Sequence, residues 1–181
     1  MNRAWRWMLP CYLFALGNAM LAFAYAVLVC RARSWDWRYG VLTFVAGTKD
    51  DGTGRMWGNP GGQGWSWVVG FASEDHRNRD DLRVHEYTHV VQCFVFGLGG
   101  LCLVPVLFAL LEWPVVAGVA LGGPIGCALF GVAYGLCFLW LYAWQGFRDW
   151  RTAYRRNPFE RHAYGVQERY MTGVINHPWG S

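Results

Sequence analysis

His85, Glu86 and His89, in the run His85-Glu86-Tyr87-Thr88-His89, have the types and spacing of a metal site with its own base. On a helix, positions i and i+4 share one face, so both imidazoles can reach one ion. Glu86, next to the first of them, is placed to take a proton from a water that attacks a carbonyl. The chain holds five histidines and five glutamates in 181 residues. By chance such a chain contains the pattern in roughly 0.4 % of cases. That is low enough to follow, but a third ligand is required.

Glu160 is the best candidate for that ligand, in the run Asn157-Pro158-Phe159-Glu160-Arg161-His162-Ala163-Tyr164. Two histidines and one carboxylate leave the fourth zinc position open, the arrangement of catalytic rather than structural zinc. The run also has a purely structural reading. Asn157 as N-cap, Pro158 at the first helical position and Glu160 at the third make a capping box. The two readings are compatible, because a fixed helix start also fixes the carboxylate.

Other polar side chains carry weaker signals. Gln92, seven residues after His85, lies on nearly the same helical face; it can orient a ligand or a substrate carbonyl, or simply end the polar face. Tyr164, four residues beyond Glu160, points the same way and can support a ligand or stabilise an oxyanion. Tyr154 and Tyr170 are further oxyanion candidates. His162 is offset by about 200° from Glu160 on a helix and is not expected on the same ion. His76 and His177 read as loop and tail residues.

The pair HEYTHVVQ and NPFERHAYGVQ resembles the gluzincin metallopeptidases, whose third ligand is a Glu on a later helix. It is most similar to small bacterial domains that combine H-E-x-x-H-V-x-Q with N-P-F-E-x-x-A. Glu160-Arg161-His162-Ala163 also resembles the E-x-x-A of membrane-embedded heat-shock and CAAX-prenyl proteases. The likeness covers roughly residues 60–98 and 150–170. It implies Zn2+ held by His85, His89 and Glu160, with Glu86 and Tyr164 in the reaction and Gln92 and Asn157 supporting the site or the substrate. It also implies a peptide or membrane-protein substrate and a bacterial inner membrane. The chain departs from the resembled proteases at Tyr164, where they place an Asp that supports a zinc-bound His. A tyrosine there supplies no charge. By the same resemblance, Trp65–Phe71 is a candidate edge strand for pairing with an extended substrate. An ordinary hairpin on a membrane surface is the alternative.

The elements that must position these residues read as membrane helices. The chain is 54 % hydrophobic and 15 % charged, with 12 Trp. Leu9 to Cys30 is an uncharged run of 22 residues, long enough for a bilayer core of ~30 Å. From Val90 to Trp144 the only Asp, Glu, Lys, Arg or His is Glu112, which leaves room for two more spans. Trp5, Trp7, Trp35, Trp37, Trp113, Trp140, Tyr142, Trp144 and Trp150 gather where interfaces should fall. The expected fold is mainly α and membrane-integrated, with about three transmembrane helices and a small α+β zincin-like part containing a short β-hairpin. Its parts are an anchor (1–33), a polar segment with the hairpin and HExxH helix (34–92), a transmembrane hairpin (93–145) and a third-ligand segment (146–181).

The turn between the second and third spans has two options, Glu112-Trp113-Pro114 or Gly122-Gly123-Pro124. The first keeps the lone carboxylate at an interface, where it costs least, and makes the third span long, from about Val115 to Trp144. Either way two crossings separate His89 from Glu160, so the halves of the site emerge on one side. Seven arginines lie near that side (Arg31, Arg33, Arg38, Arg148, Arg151, Arg155, Arg156) against Arg3 and Arg6 on the other. The positive-inside rule then puts the site in the cytoplasm. A competing reading takes residues 1–26 as a signal peptide ending in Ala24-Tyr25-Ala26.

Cys11, Cys30, Cys93, Cys102, Cys127 and Cys137 all lie in or beside apolar runs without a C-x-x-C pair, as packing residues rather than a disulfide framework. The net charge of +4, from 15 Arg and one Lys, fits anchoring to membrane lipid; no basic stripe points to nucleic acid. In the polar segment, Tyr39–Gly47 and Trp65–Phe71 read as strands around turns at 49–54 and 59–64. Glu74–Asp81 reads as a solvated loop, with Asp80 or Asp81 capping a helix from near Leu82. Gly97, Gly99, Gly100, Gly126, Gly131 and Gly135 permit close helix packing, within the chain or in an oligomer. Two further classes stay open: a zinc-binding membrane protein without hydrolysis, and a membrane accessory protein in which the motif is coincidental.

Overall fold

The computed structural model describes residues 16–38, 40–49, 52, 54–56 and 61–175. The start of the expected first span, the possible signal peptide's basic end, Cys11 and His177 lie outside the described residues. Helix α1 covers Leu16–Leu28, followed by strands β1 (Ser34–Arg38), β2 (Val41–Val45), β3 (Gly62–Trp65) and β4 (Val68–Phe71). Then come α2 (Glu74–Asn78), α3 (Asp80–Leu110), α4 (Val115–Trp144), α5 (Trp150–Arg156) and α6 (Pro158–Met171). The described part is mostly helical, with one small sheet.

The sheet has the order β1-β2-β4-β3. β1 and β2 are antiparallel, β2 and β4 parallel, and β3 and β4 antiparallel. In place of the single strand expected over Trp65–Phe71, the chain reverses at Ser66-Trp67, where Ser66 adopts φ 59°. That left-handed residue gives a two-residue hairpin and makes β3 an edge strand. The alternating Ser-Trp-Asp-Trp-Arg of β1 is a strand the sequence reading passed over.

Each face of the sheet is covered. Val41, Val69 and Phe71 pack with Tyr87, Val90, Cys93 and Phe94 of α3 and with Cys127 and Phe130 of α4. Phe44, Val68, Ala46 and Ala72 pack on Ala19, Ala22, Ala26 and Cys30 at the α1 side. The period-2 alternation of the strands therefore feeds two cores, one per face. The small-residue stripe at 19, 22 and 26 brings α1 onto the sheet, while Met20, Leu21 and Leu28 stay exposed. The described part of α1 has 13 residues, about 20 Å, so it is not by itself a span.

Two helices, α3 and α4, are long and apolar enough to cross a membrane; the described residues do not supply the third span. They form an antiparallel hairpin that turns at Glu112-Trp113-Pro114, where Glu112 has φ 57°. Gly122 and Gly123 instead lie inside α4, on the seam with α3. A Cβ on Gly100 would fall 2.2 Å from Gly122 O, and one on Gly126 would fall 2.1 Å from Phe96 O, so the two backbones touch. Gly99, Gly131 and Gly135 have open space instead. α3 has 31 residues, about 46 Å, which exceeds a hydrocarbon core of ~30 Å. All of its charged side chains lie in the first third, Asp80–His89, so the polar end projects beyond the apolar length.

Glu74–Asn78 is a helical turn, not a loop. Ser73 caps it, accepting from His76 N, with Glu74 and Asp75 in the first turn. α3 then starts at Asp80, two residues before the expected position, with Arg79 in the cap position.

Candidate metal centre

Three elements bring the site together. α3 presents His85 and His89 from its polar end, α6 presents Glu160 from its first turn, and β3 closes over Glu86. All four side chains are buried, between 1 % and 6 % exposed.

Asn157 starts α6 as its N-cap, accepting from Phe159 N at 3.1 Å, while its Nδ2 donates to Tyr134 O of α4 at 3.2 Å. The capping box does not close. Asn157 N–H is taken by Ala153 O and Tyr154 O of α5, and Glu160 turns to the histidines. Its Oε2 lies 3.0 Å from His85 Nε2 and its Oε1 3.1 Å from His89 Nε2. The three ligand atoms lie within 4.8 Å of one another, the one such His/Cys/Asp/Glu group among the described residues.

The residues fit a cation. Tetrahedral bonds of about 2.0–2.1 Å put neighbouring ligand atoms about 3.3 Å apart, close to the two histidine–carboxylate separations, which fall on different oxygens of Glu160. Proton placement points the same way. Gln92 Nε2 donates to Phe159 O at 3.0 Å, which fixes the amide's orientation. Gln92 Oε1 therefore faces His89 Nδ1, at 2.9 Å, and must receive its proton. A neutral His89 then turns a lone pair from Nε2 toward a carboxylate oxygen. Two acceptors at that distance are held by a cation between them, either a proton on the ring or a metal ion.

Burial alone would push the Glu160 carboxyl up. Hydrogen bonds with His85 and His89, the charge on His89 and the Tyr134 hydroxyl outweigh it and hold the group well below the usual carboxylate range. Tyr134 Oη donates to Glu160 Oε1 at 2.5 Å. Tyr154 lies against the same carboxylate; burial, then the Glu160 charge, raises its phenol, so it remains a donor.

Glu86 points to the sheet. Gly64 N–H donates to its carboxylate. A Cβ on Gly62 would sit 2.9 Å from Glu86 Cγ and Oε1, and one on Gly64 would sit 2.8 Å from Glu86 O. Two glycines in alternate register are what lets the strand lie this close to the helix.

Gln92 thus joins the site as a support of His89. Its amide also meets His162 Nδ1 at 3.1 Å, so His162 stands behind His89 and outside the His85–His89–Glu160 group. Tyr164 packs its ring on His85 with centroids 4.5 Å apart and remains 42 % exposed. His85 Nδ1 is buried with no hydrogen-bond partner among the described residues. Tyr164 therefore meets His85 through a ring contact and supplies it no charge. Tyr170 lies at the far end of α6, lining an open groove with Arg79 and Asp81. Tyr134 was missed: a lone tyrosine in an apolar helix carries no spacing signal.

Compared with known proteins, the chain matches no family model, no curated protein and no solved structure.

Proposed function

We propose that this chain is a membrane-integrated zinc metallopeptidase of gluzincin-like type. The observation that carries the reading is the convergence of His85 Nε2, His89 Nε2 and the Glu160 carboxylate, with Glu86 one residue from the first ligand and held against an edge strand. Zinc bound there would supply Lewis acidity toward a carbonyl and a water. Glu86 would accept the water's proton and return it to the leaving amine. The β3 edge would orient an extended peptide, and Gln92 would keep His89 in the tautomer that offers Nε2.

The remaining assignments extend from the same reading. Two apolar helices and an exposed belt of Trp140, Trp144, Phe147 and Trp150 support residence in a bilayer, contacting lipid. The arginine excess near the site supports a cytoplasmic face; the bacterial inner membrane and a peptide or membrane-protein substrate rest on the resemblance to gluzincin metallopeptidases alone.

A second reading, a metal-binding protein without hydrolysis, is favoured by one observation. His85 Nδ1 has no acceptor among the described residues, and Tyr164 stands where a carboxylate would charge-assist it. Hydrolysis of a quenched-fluorescence peptide library by the zinc-loaded protein separates the two. Turnover in wild type that disappears in Glu86→Gln supports the peptidase; equal residual rates in both support the second reading.

A further inference from the structure

We infer that Tyr134 is a positioning residue for the third ligand, and that it makes metal binding depend on how α4 docks against the site. The inference rests on the metal-centre reading above. Tyr134 belongs to α4, whose first turns form the apolar hairpin with α3, yet it meets three parts of the centre. Its hydroxyl donates to Glu160 Oε1 at 2.5 Å. Its backbone carbonyl accepts from Asn157 Nδ2, the residue that starts the Glu160 helix, at 3.2 Å. Its ring stacks on Phe159, with centroids 5.9 Å apart, and stands edge-on to His89 at 6.0 Å.

A carboxylate ligand has four lone-pair directions, and an ion needs one or two of them in a fixed place. A donor bound to one oxygen stops rotation about the last side-chain bond and selects the oxygen left for the ion. No residue of α3 or α6 does this for Glu160 except the histidines themselves. Donors reach the carboxylate from α5, through Tyr154, and from α4, through Tyr134, and α4 is located by backbone contact at Gly100, Gly122 and Gly126. A change in that seam must therefore move Tyr134 relative to Glu160. The apolar hairpin then acts as part of the metal centre, and an ion will bind tightly only once the hairpin is packed.

The test is Co2+ titration of the detergent-purified full chain, wild type beside Tyr134→Phe, reading affinity and the visible bands that report coordination geometry. Tyr134→Phe keeps the ring and removes only the donor. The expected result is affinity weaker by about 10–100-fold with altered bands, and unchanged helix content. A merely packing role would leave the bands alone. Folded Tyr134→Phe that binds within about twofold of wild type, with the same bands, overturns the inference while leaving the metal reading intact. If Tyr134→Phe does not fold, Gly97→Ala carries the test: on the same seam, its methyl meets the Cys127 side chain at 2.7 Å rather than backbone, and unchanged affinity there overturns the coupling. Wild type that binds no Co2+ overturns the metal reading and this inference together.

Discussion

Gln92 holds His89 to the helix that carries Glu160: its Oε1 accepts from His89 Nδ1 at 2.9 Å, and its Nε2 donates to Phe159 O at 3.0 Å. One side chain thereby sets the tautomer of His89 and ties it to the first turn of the Glu160 helix. Gln92→Leu removes the acceptor and leaves Phe159 O and His162 without this donor. Zinc affinity should fall by about 10–100-fold, with about 1–3 kcal/mol of stability lost to unpaired polar groups. Competition against a chromophoric chelator reads the first, and denaturant melts read the second.

The approach of β3 to Glu86 predicts a sharp contrast among glycines. Gly64→Ala puts a methyl 2.8 Å from the backbone oxygen of Glu86, where nothing flexible can yield. It should cost about 1–3 kcal/mol and pull Gly64 N–H off the carboxylate. Gly131→Ala, which meets nothing within 4 Å, should leave stability unchanged or raise it slightly, as helix propensity favours alanine. Equal melting shifts in the two variants would refute the close contact.

Acid should strip the metal. Protons compete with the ion for the ring nitrogens, so affinity falls toward acid. Glu160 is held below the usual carboxylate range, so it stays ionised as the ring nitrogens take up protons and does not set the midpoint. The sign for its own contribution follows from a depressed pKa: stability it lends is present above the unfolded value and lost as pH falls through the folded one. Zinc retention after dialysis at a series of pH values should decline toward acid; retention that rises toward acid would exclude this ligand set.

The convergence of His85, His89 and Glu160 was legible because helical spacing and chemistry are both local: His85 and His89 share a face, and an Asn-Pro start fixes Glu160. The partners of those residues were less so. Asn157 was readable as a cap, but only the fold shows that α5 takes its N–H and frees Glu160 from the capping box. Tyr134 comes from a helix whose composition speaks of lipid, so long-range packing alone brings it to the site. Ser66, in Trp65-Ser66-Trp67, carries none of the Gly or Asn that usually mark a two-residue turn, which hid the hairpin. Ser73 followed by Glu74 and Asp75 was a readable helix start, masked by the charge of the run. The stripe of Ala19, Ala22 and Ala26 was also visible in the sequence, but a long apolar run drew the reading toward a span rather than a packing face.

On the peptidase reading, neighbours in the motif have separate roles. His85→Ala removes a ligand and should abolish both metal binding and turnover. Glu86→Gln keeps the shape and the Gly62 and Gly64 contacts, so it should keep the metal and lose at least about 100-fold in turnover. Metal analysis beside peptide hydrolysis checks both; loss of metal in both variants would end the division of labour.

The most direct test of the central claim is the metal content of detergent-purified protein by elemental analysis, wild type beside Glu160→Ala and Glu86→Gln. About one zinc per chain in wild type and Glu86→Gln, and little in Glu160→Ala, is the predicted result. Wild type purified without metal, and unable to take up zinc when it is supplied, would contradict it and leave the buried histidines and Glu160 as a hydrogen-bonded joint between α3 and α6.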